Sequence, residues 1–377
     1  MVTVDDPVAV GLDPRRWRHV RDVARRFCDD DHVPAIGLTV GRGGLRMKTA
    51  LFGRQQLDES APLREDALFL VASITKPLVA MAALRLIEQG RLSLGDRVYD
   101  YLPEFGKNSK FGITIRHLLT HTSGLPDMLP QNRDLRAAHA PLAAFVDGTC
   151  EVGRDFAPGR GVQYQSMGFA VLGELIARVS GTSCAEYLHQ EFFAPLRMHD
   201  TALGAPDSWF DGPDACVERI AEIRTPPDQE DTDWGWNSRY WRSLGAPWGG
   251  LLTTPDDLAH FAQTMLCRGN FEGEQLLSPA AIAAATRNQL EAMRDVPSAD
   301  RRTRPWGLGW RLQWPAHSAN FGDLLGPRTY GHWGATGTLL WIDPQRDAYA
   351  LVLTTQPQEP RGYYLARLSN AISAALL

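Results

Sequence analysis

The two ends of the chain carry mirrored sequence patterns, and this constrains the fold more than any single motif does. Near the start, residues 14–28 place Trp17, Val20, Val23, Ala24 and Phe27 on one helical stripe. A strand pattern from Pro34 to Val40, the turn Gly41-Arg42-Gly43-Gly44 and a second strand from Leu45 to Phe52 follow. Near the end, Thr338-Leu339-Leu340-Trp341-Ile342, the turn Asp343-Pro344-Gln345-Arg346-Asp347 and Ala348 to Thr355 form another hairpin, and a helix runs from about Tyr363 to Leu376. Two hairpins with two helices at opposite ends predict one antiparallel sheet, flanked by helices, that closes the domain. The expected class is mixed α+β. The chain reads as a single unit over 1–377, with a sheet-containing part at about 1–90 and 301–377 and a mainly helical, loop-rich part at about 91–300. Helices are expected in that middle part at 114–120, 168–180, 183–194, 256–268 and 279–290. Residues 204–250, rich in Asp, Pro, Gly and Trp, read as a long irregular excursion of the kind that walls pockets.

Composition narrows the function classes. Hydrophobic residues make up 44% and charged residues 22% of 377, ordinary for a globular chain able to bury a large core. A net charge of −5 and the lack of any basic run argue against a nucleic-acid partner. No apolar stretch approaches a membrane span, so no membrane partner is expected. The N-terminus lacks the basic-then-apolar pattern of a secretory signal. Five scattered cysteines, odd in number and without a C-x-x-C pair, read as reduced thiols. These features together predict a cytoplasmic protein. Oligomeric state is not readable.

Chemistry enters at Ser73-Ile74-Thr75-Lys76. The tetrapeptide follows the apolar run Ala67 to Ala72 and opens a helical stretch that stops at Gly90. Residues three apart share a helix face, so Lys76 can reach the Ser73 hydroxyl. A serine at a helix N-terminus also meets free backbone N–H groups, which favour an oxyanion forming beside it. Pro77 is compatible, because a first-turn proline gives up an N–H without an intrahelical partner. An N-capping serine beside an exposed lysine is the bland alternative, so the motif needs support elsewhere.

Two further segments supply it. Tyr164-Gln165-Ser166 precedes a helix starting near Gly168, where the positive helix end eases deprotonation of a phenol. His332-Trp333-Gly334-Ala335-Thr336-Gly337 directly precedes the C-terminal hairpin, and its small residues let a strand edge approach a ligand. The Ala335 N–H is then a candidate second oxyanion donor. Other candidates read as structural. His117 and His121 have i, i+4 spacing but no adjacent glutamate or third ligand, so packing is expected and no metal. There is no G-x-S-x-G elbow. Trp234, Trp236, Tyr240, Trp241 and Trp248 crowd one region and are candidates for an apolar pocket wall.

In this order, the three segments resemble the serine β-lactamase and penicillin-binding protein superfamily, which carries S-x-x-K, then Tyr-x-Asn or Ser-x-Asn, then Lys-Thr-Gly or a variant such as His-x-Gly. His117-Leu118-Leu119-Thr120-His121-Thr122-Ser123-Gly124-Leu125, Phe193 to Thr201 and Gly249 to Leu258 are similar to phrases of the class C β-lactamase-like branch, which includes the family VIII carboxylesterases. The resemblance implies a β-lactamase/transpeptidase-like fold and an acyl-enzyme on Ser73, with Lys76 and Tyr164 in the proton relay and no metal or organic cofactor. Either Lys76 or Tyr164 can be the base. The backbone N–H groups of Ser73 and Ala335 would hold the oxyanion, with His332 ordering the Tyr164 hydroxyl or a site water. Two departures point from β-lactams towards small, uncharged carboxylic esters. Ser166 stands where β-lactamases have an asparagine, and His332, largely neutral at pH 7, stands where they have lysine. Arg328 is a remaining candidate for positive charge. Alternatives are a β-lactamase, D-aminopeptidase or acyltransferase on the same scaffold, or a non-catalytic scaffold or sensor.

Overall fold

The computed structural model describes residues 1–213, 215–312, 320–357 and 362–377. Both chain ends meet in one eight-stranded sheet. Its order is Val2–Val4, Leu45–Met47, Ala35–Arg42, Ala348–Thr354, Thr338–Asp343, Tyr330–Gly334 and Arg311–Leu312, with Ala50–Gly53 also paired to Ala35–Arg42. The central seam joins the two ends of the sequence, with Val40 opposite Ala350 and Leu38 opposite Val352. Pairing is antiparallel except at one edge, where Val2–Val4 runs parallel to Leu45–Met47, so the sheet is mixed. The helix Pro14–Asp29 intervenes between those two strands. A connection of that length leaves strand direction free, whereas a tight turn would impose antiparallel pairing. At the tight turn Gly43 and Gly44 take φ of 58° and 79°, the left-handed pair that a two-residue hairpin demands.

The three central strands are buried on both faces, and their alternating side chains divide between two cores. Ile36, Leu38, Val40, Trp341 and Val352 meet Trp17 and Val20 of the first helix and Leu365, Leu368 and Ile372 of the last, Tyr363–Ala375. Leu340, Ile342, Leu351 and Leu353 face the opposite core with Leu258 and Phe261 of Pro255–Leu266. That second core extends into the helical half. There the helix Thr75–Glu88 is buried almost all round and packs against Met167–Ser180.

Two expected helices are modified. The segment 183–194 is α-helical over Cys184–Leu188 and then widens into a π turn at His189–Phe193. The helix expected over 279–290 stops at Thr286. Leu142–Glu151 adds a helix that Gly148 obscures in the sequence. A small sheet of Phe69–Leu70, Leu251–Thr253 and Ala202–Leu203 holds the approach to Ser73. All five cysteines are unpaired. Among the described residues no helix is long and apolar enough to cross a membrane.

Candidate active site

Ser73 lies in a single 3-10 turn, Ala72–Ile74, that runs into the helix Thr75–Glu88. Three threonine hydroxyls hold this turn and the residues leading into it. Thr75 Oγ1 donates to the Ala72 carbonyl at 2.6 Å and accepts from the Leu251 N–H at 3.1 Å. Thr336 and Thr338 donate to the carbonyls of Leu70 and Val71 at 2.6 and 2.9 Å, tying the 330–338 hairpin to the serine turn. The approach is so close that a Cβ on Gly334 would sit 2.3 Å from the Val71 carbonyl oxygen. Only glycine admits that contact, and it brings Ala335 to the rim of the cavity that holds Ser73. Ala72 takes φ of 45°, strained for an alanine and sustained by these bonds.

Lys76 Nζ donates to Ser73 Oγ at 3.0 Å and to the Trp248 carbonyl at 2.8 Å. The amine is fully buried, and desolvation pulls its pKa down to about 7 against the opposing pull of Asp127. Near neutrality a large share of Lys76 is therefore unprotonated. Tyr164 lines the same cavity as Ser73, and its ring centroid is 4.8 Å from Lys76 Nζ. Burial pushes the phenol well above its ordinary range, so the Tyr164 phenolate is scarce despite the nearby helix.

The irregular segment entering Tyr164 is held by His121. Its carbonyl accepts from the Gln163 N–H at 2.9 Å and its Nδ1 from the Gln165 N–H at 3.1 Å. His121 thus positions the tyrosine, its ring centroid 4.8 Å from that of Tyr164. His117 bonds to Thr114 at a helix cap. Among the described residues no group of three metal-ligating side chains occurs.

His332 is buried beside this group, its ring centroid 6.0 Å from that of Tyr164. Nδ1 lies 2.7 Å from the Trp333 carbonyl, which can only accept, so the proton is on Nδ1. Nε2 is then a buried lone pair with no partner. Desolvation, reinforced by Lys76, holds the ring well below its ordinary pKa, so His332 is neutral. Ser166 does not present a free hydroxyl proton, because Oγ donates to Asp127 Oδ1 at 2.7 Å.

The cavity above Ser73 has a volume of about 530 Å³. Tyr164, Ser166, Trp236, Trp241, Trp333 and Ala335 line it, together with Trp248. Trp234 is not on its wall but stacks behind Arg136, while Gly334 and His332 stand behind the surface. Arg328 opens into a different cleft with Pro327 and Thr329. The cavity's positive charge comes instead from Arg136 and Arg311, and Asp127 supplies a carboxylate. Arg311 lies over Trp333 at 4.1 Å and Trp306 at 4.9 Å. These three charged residues lie outside every motif, and only tertiary folding brings them to Ser73. The candidate apolar wall is therefore an aromatic one with two arginines and a carboxylate among its residues.

Residues 20–373 match the β-lactamase family. Penicillin-binding protein 4 of Amycolatopsis lactamdurans is 30% identical over 350 residues, spanning 91% of this chain and 85% of that protein. A penicillin-binding protein homologue from Caulobacter crescentus superposes with a TM-score of 0.78 at 23% identity, covering 97% of this chain and 99% of that one. A family VIII carboxylesterase shares the fold with a TM-score of 0.76 at 21% identity and the same coverage. The chain belongs to the β-lactamase family of serine hydrolases.

Proposed function

We propose that the protein cleaves carboxylic esters through an acyl-enzyme on Ser73. The observation that carries this reading is the pair Ser73–Lys76, a hydroxyl 3.0 Å from an amine whose pKa is about 7. Neutral Lys76 accepts the Ser73 proton as Oγ attacks the ester carbonyl. The backbone N–H groups of Ser73 and Ala335 hold the resulting oxyanion. As the carbon–oxygen bond breaks, Tyr164 gives its proton to the departing alkoxide and recovers one from Lys76. Water then attacks the acyl-enzyme with the same groups working in reverse, and free acid and Ser73 result. The depressed lysine and the raised phenol favour Lys76 as the base and Tyr164 as the proton carrier.

Esters are favoured over β-lactams by what a lactam requires. Its amine stays tethered after ring opening, so water must be admitted past it, and its amide and carboxylate must be held in place. Ser166 is committed to Asp127 and His332 is neutral, so neither is suited to those tasks. A fluorophosphonate probe tests the nucleophile: labelling mapped to the Ser73 peptide and abolished in Ser73→Ala is expected. Failure to label, with no ester turned over, would mark a non-catalytic scaffold.

A further inference from the structure

One charged group in the Ser73 cavity has no part in acyl transfer. Arg136, on the short helix Asn132–Ala137, is 6% exposed and lines the cavity. Its guanidinium is clamped between Trp234 and Trp241, 4.8 and 4.2 Å from their ring centroids. Nη2 donates to the Trp234 carbonyl at 3.1 Å and to Gln229 at 3.2 Å. Nε is buried with no partner. Asp228 and Tyr240 act on the group only through space, and among the described residues no carboxylate forms an ion pair with it.

A buried cation without an anion is costly, and tryptophan faces hold its charge without neutralising it. The clamp fixes the guanidinium plane, which prepares it for a planar oxyanion. Asn132, one turn earlier on the same helix face, lines the same wall. This wall connects to the reacting centre. Trp241 meets Trp248 edge-on at 6.5 Å, and the Trp248 carbonyl holds Lys76. Tyr164, which serves the leaving alcohol, packs instead against His121 and Trp306. The Arg136 wall is thus left to the acyl arm.

We propose that Arg136 forms an anion subsite, and that the preferred substrates carry a carboxylate on the acyl arm, as half-esters of dicarboxylic acids do. The proposal rests on the ester-cleaving reading above. In the reaction the distal carboxylate is only bound. The Ser73 Oγ–carbon bond forms, the ester carbon–oxygen bond breaks, the alcohol leaves with a proton, and water releases the diacid.

The test compares kcat/KM for three p-nitrophenyl esters of matched length, ending in a carboxylate, its methyl ester or an ammonium, on native protein, Arg136→Met and Arg311→Met. The native protein should prefer the carboxylate over the neutral ester by at least about tenfold and treat the ammonium ester worst. That ratio should collapse in Arg136→Met. A native preference for the neutral or ammonium ester overturns the proposal, as does a preference that survives Arg136→Met or follows Arg311 instead. The native ranking decides even if Arg136→Met does not fold. Calorimetric binding of glutarate, present in native protein and in Ser73→Ala, tests the subsite without turnover. No ester cleavage with glutarate bound would sink the ester reading alone, whereas no glutarate binding at millimolar concentration would sink the subsite.

Discussion

At the scale of single residues, burial does the chemical work. A lysine in water is protonated at pH 7 and cannot take a proton from serine. Full burial brings Lys76 to about 7. Protonated Lys76 cannot act as the base, so kcat/KM should fall as pH drops through about 7 and level off above it. A pH–rate profile for a neutral ester checks this. Asp127 pulls the lysine pKa upward, so Asp127→Asn, which can keep the Ser166 bond, should move that limb to lower pH. A limb that moves upward or stays in place would remove Lys76 as its source. Lys76→Ala and Tyr164→Phe should each lower kcat by about 10²–10⁴-fold in single-turnover kinetics, the range of general acid–base groups.

At the scale of elements, the site depends on how closely the 330–334 strand approaches the serine turn. Gly334→Ala places a methyl 2.3 Å from the Val71 carbonyl oxygen and 2.4 Å from Thr338 Oγ1. The strand must retreat and carry the Ala335 N–H with it. The expected loss is about 10²-fold in kcat, the scale of a lost oxyanion donor, with a native far-UV circular dichroism spectrum. Unchanged kcat would show that Ala335 does not hold the oxyanion. This scale also separates what was legible in the sequence from what was not. Ser73 and Lys76 are one helical turn apart, and Tyr164 and His332 sit beside recognisable element starts, so local spacing marks them. Asp127, Arg136 and Arg311 reach the cavity from a loop, a one-turn helix and a two-residue strand. Such short elements carry no periodicity, and nothing local distinguishes their charges from surface ones. The loop tryptophans were readable as an aromatic cluster, but not as a wall with Trp234 turned behind Arg136.

At the scale of the whole molecule, the mirrored chain ends were enough to define the central sheet, because apolar runs bounded by turn residues act locally. The parallel edge strand was not legible, since three residues bear no sign of pairing direction. The sheet separates two cores, and Ser73 belongs to only one side. Leu368→Ala, in the far core, should lower unfolding free energy by about 2–5 kcal/mol in denaturant titration, while kcat per folded molecule stays within about twofold. A large fall in kcat would mean that the sheet transmits packing changes to the site. The substrate class is the claim that the whole enzyme must answer. Its most direct measurement is kcat/KM of the native protein on p-nitrophenyl esters, with and without a distal carboxylate, beside benzylpenicillin and nitrocefin. Efficient turnover of at least one ester is expected, with slow or stalled turnover of both lactams and an acyl adduct on Ser73. Lactam hydrolysis with kcat/KM above that of every ester would contradict the ester reading.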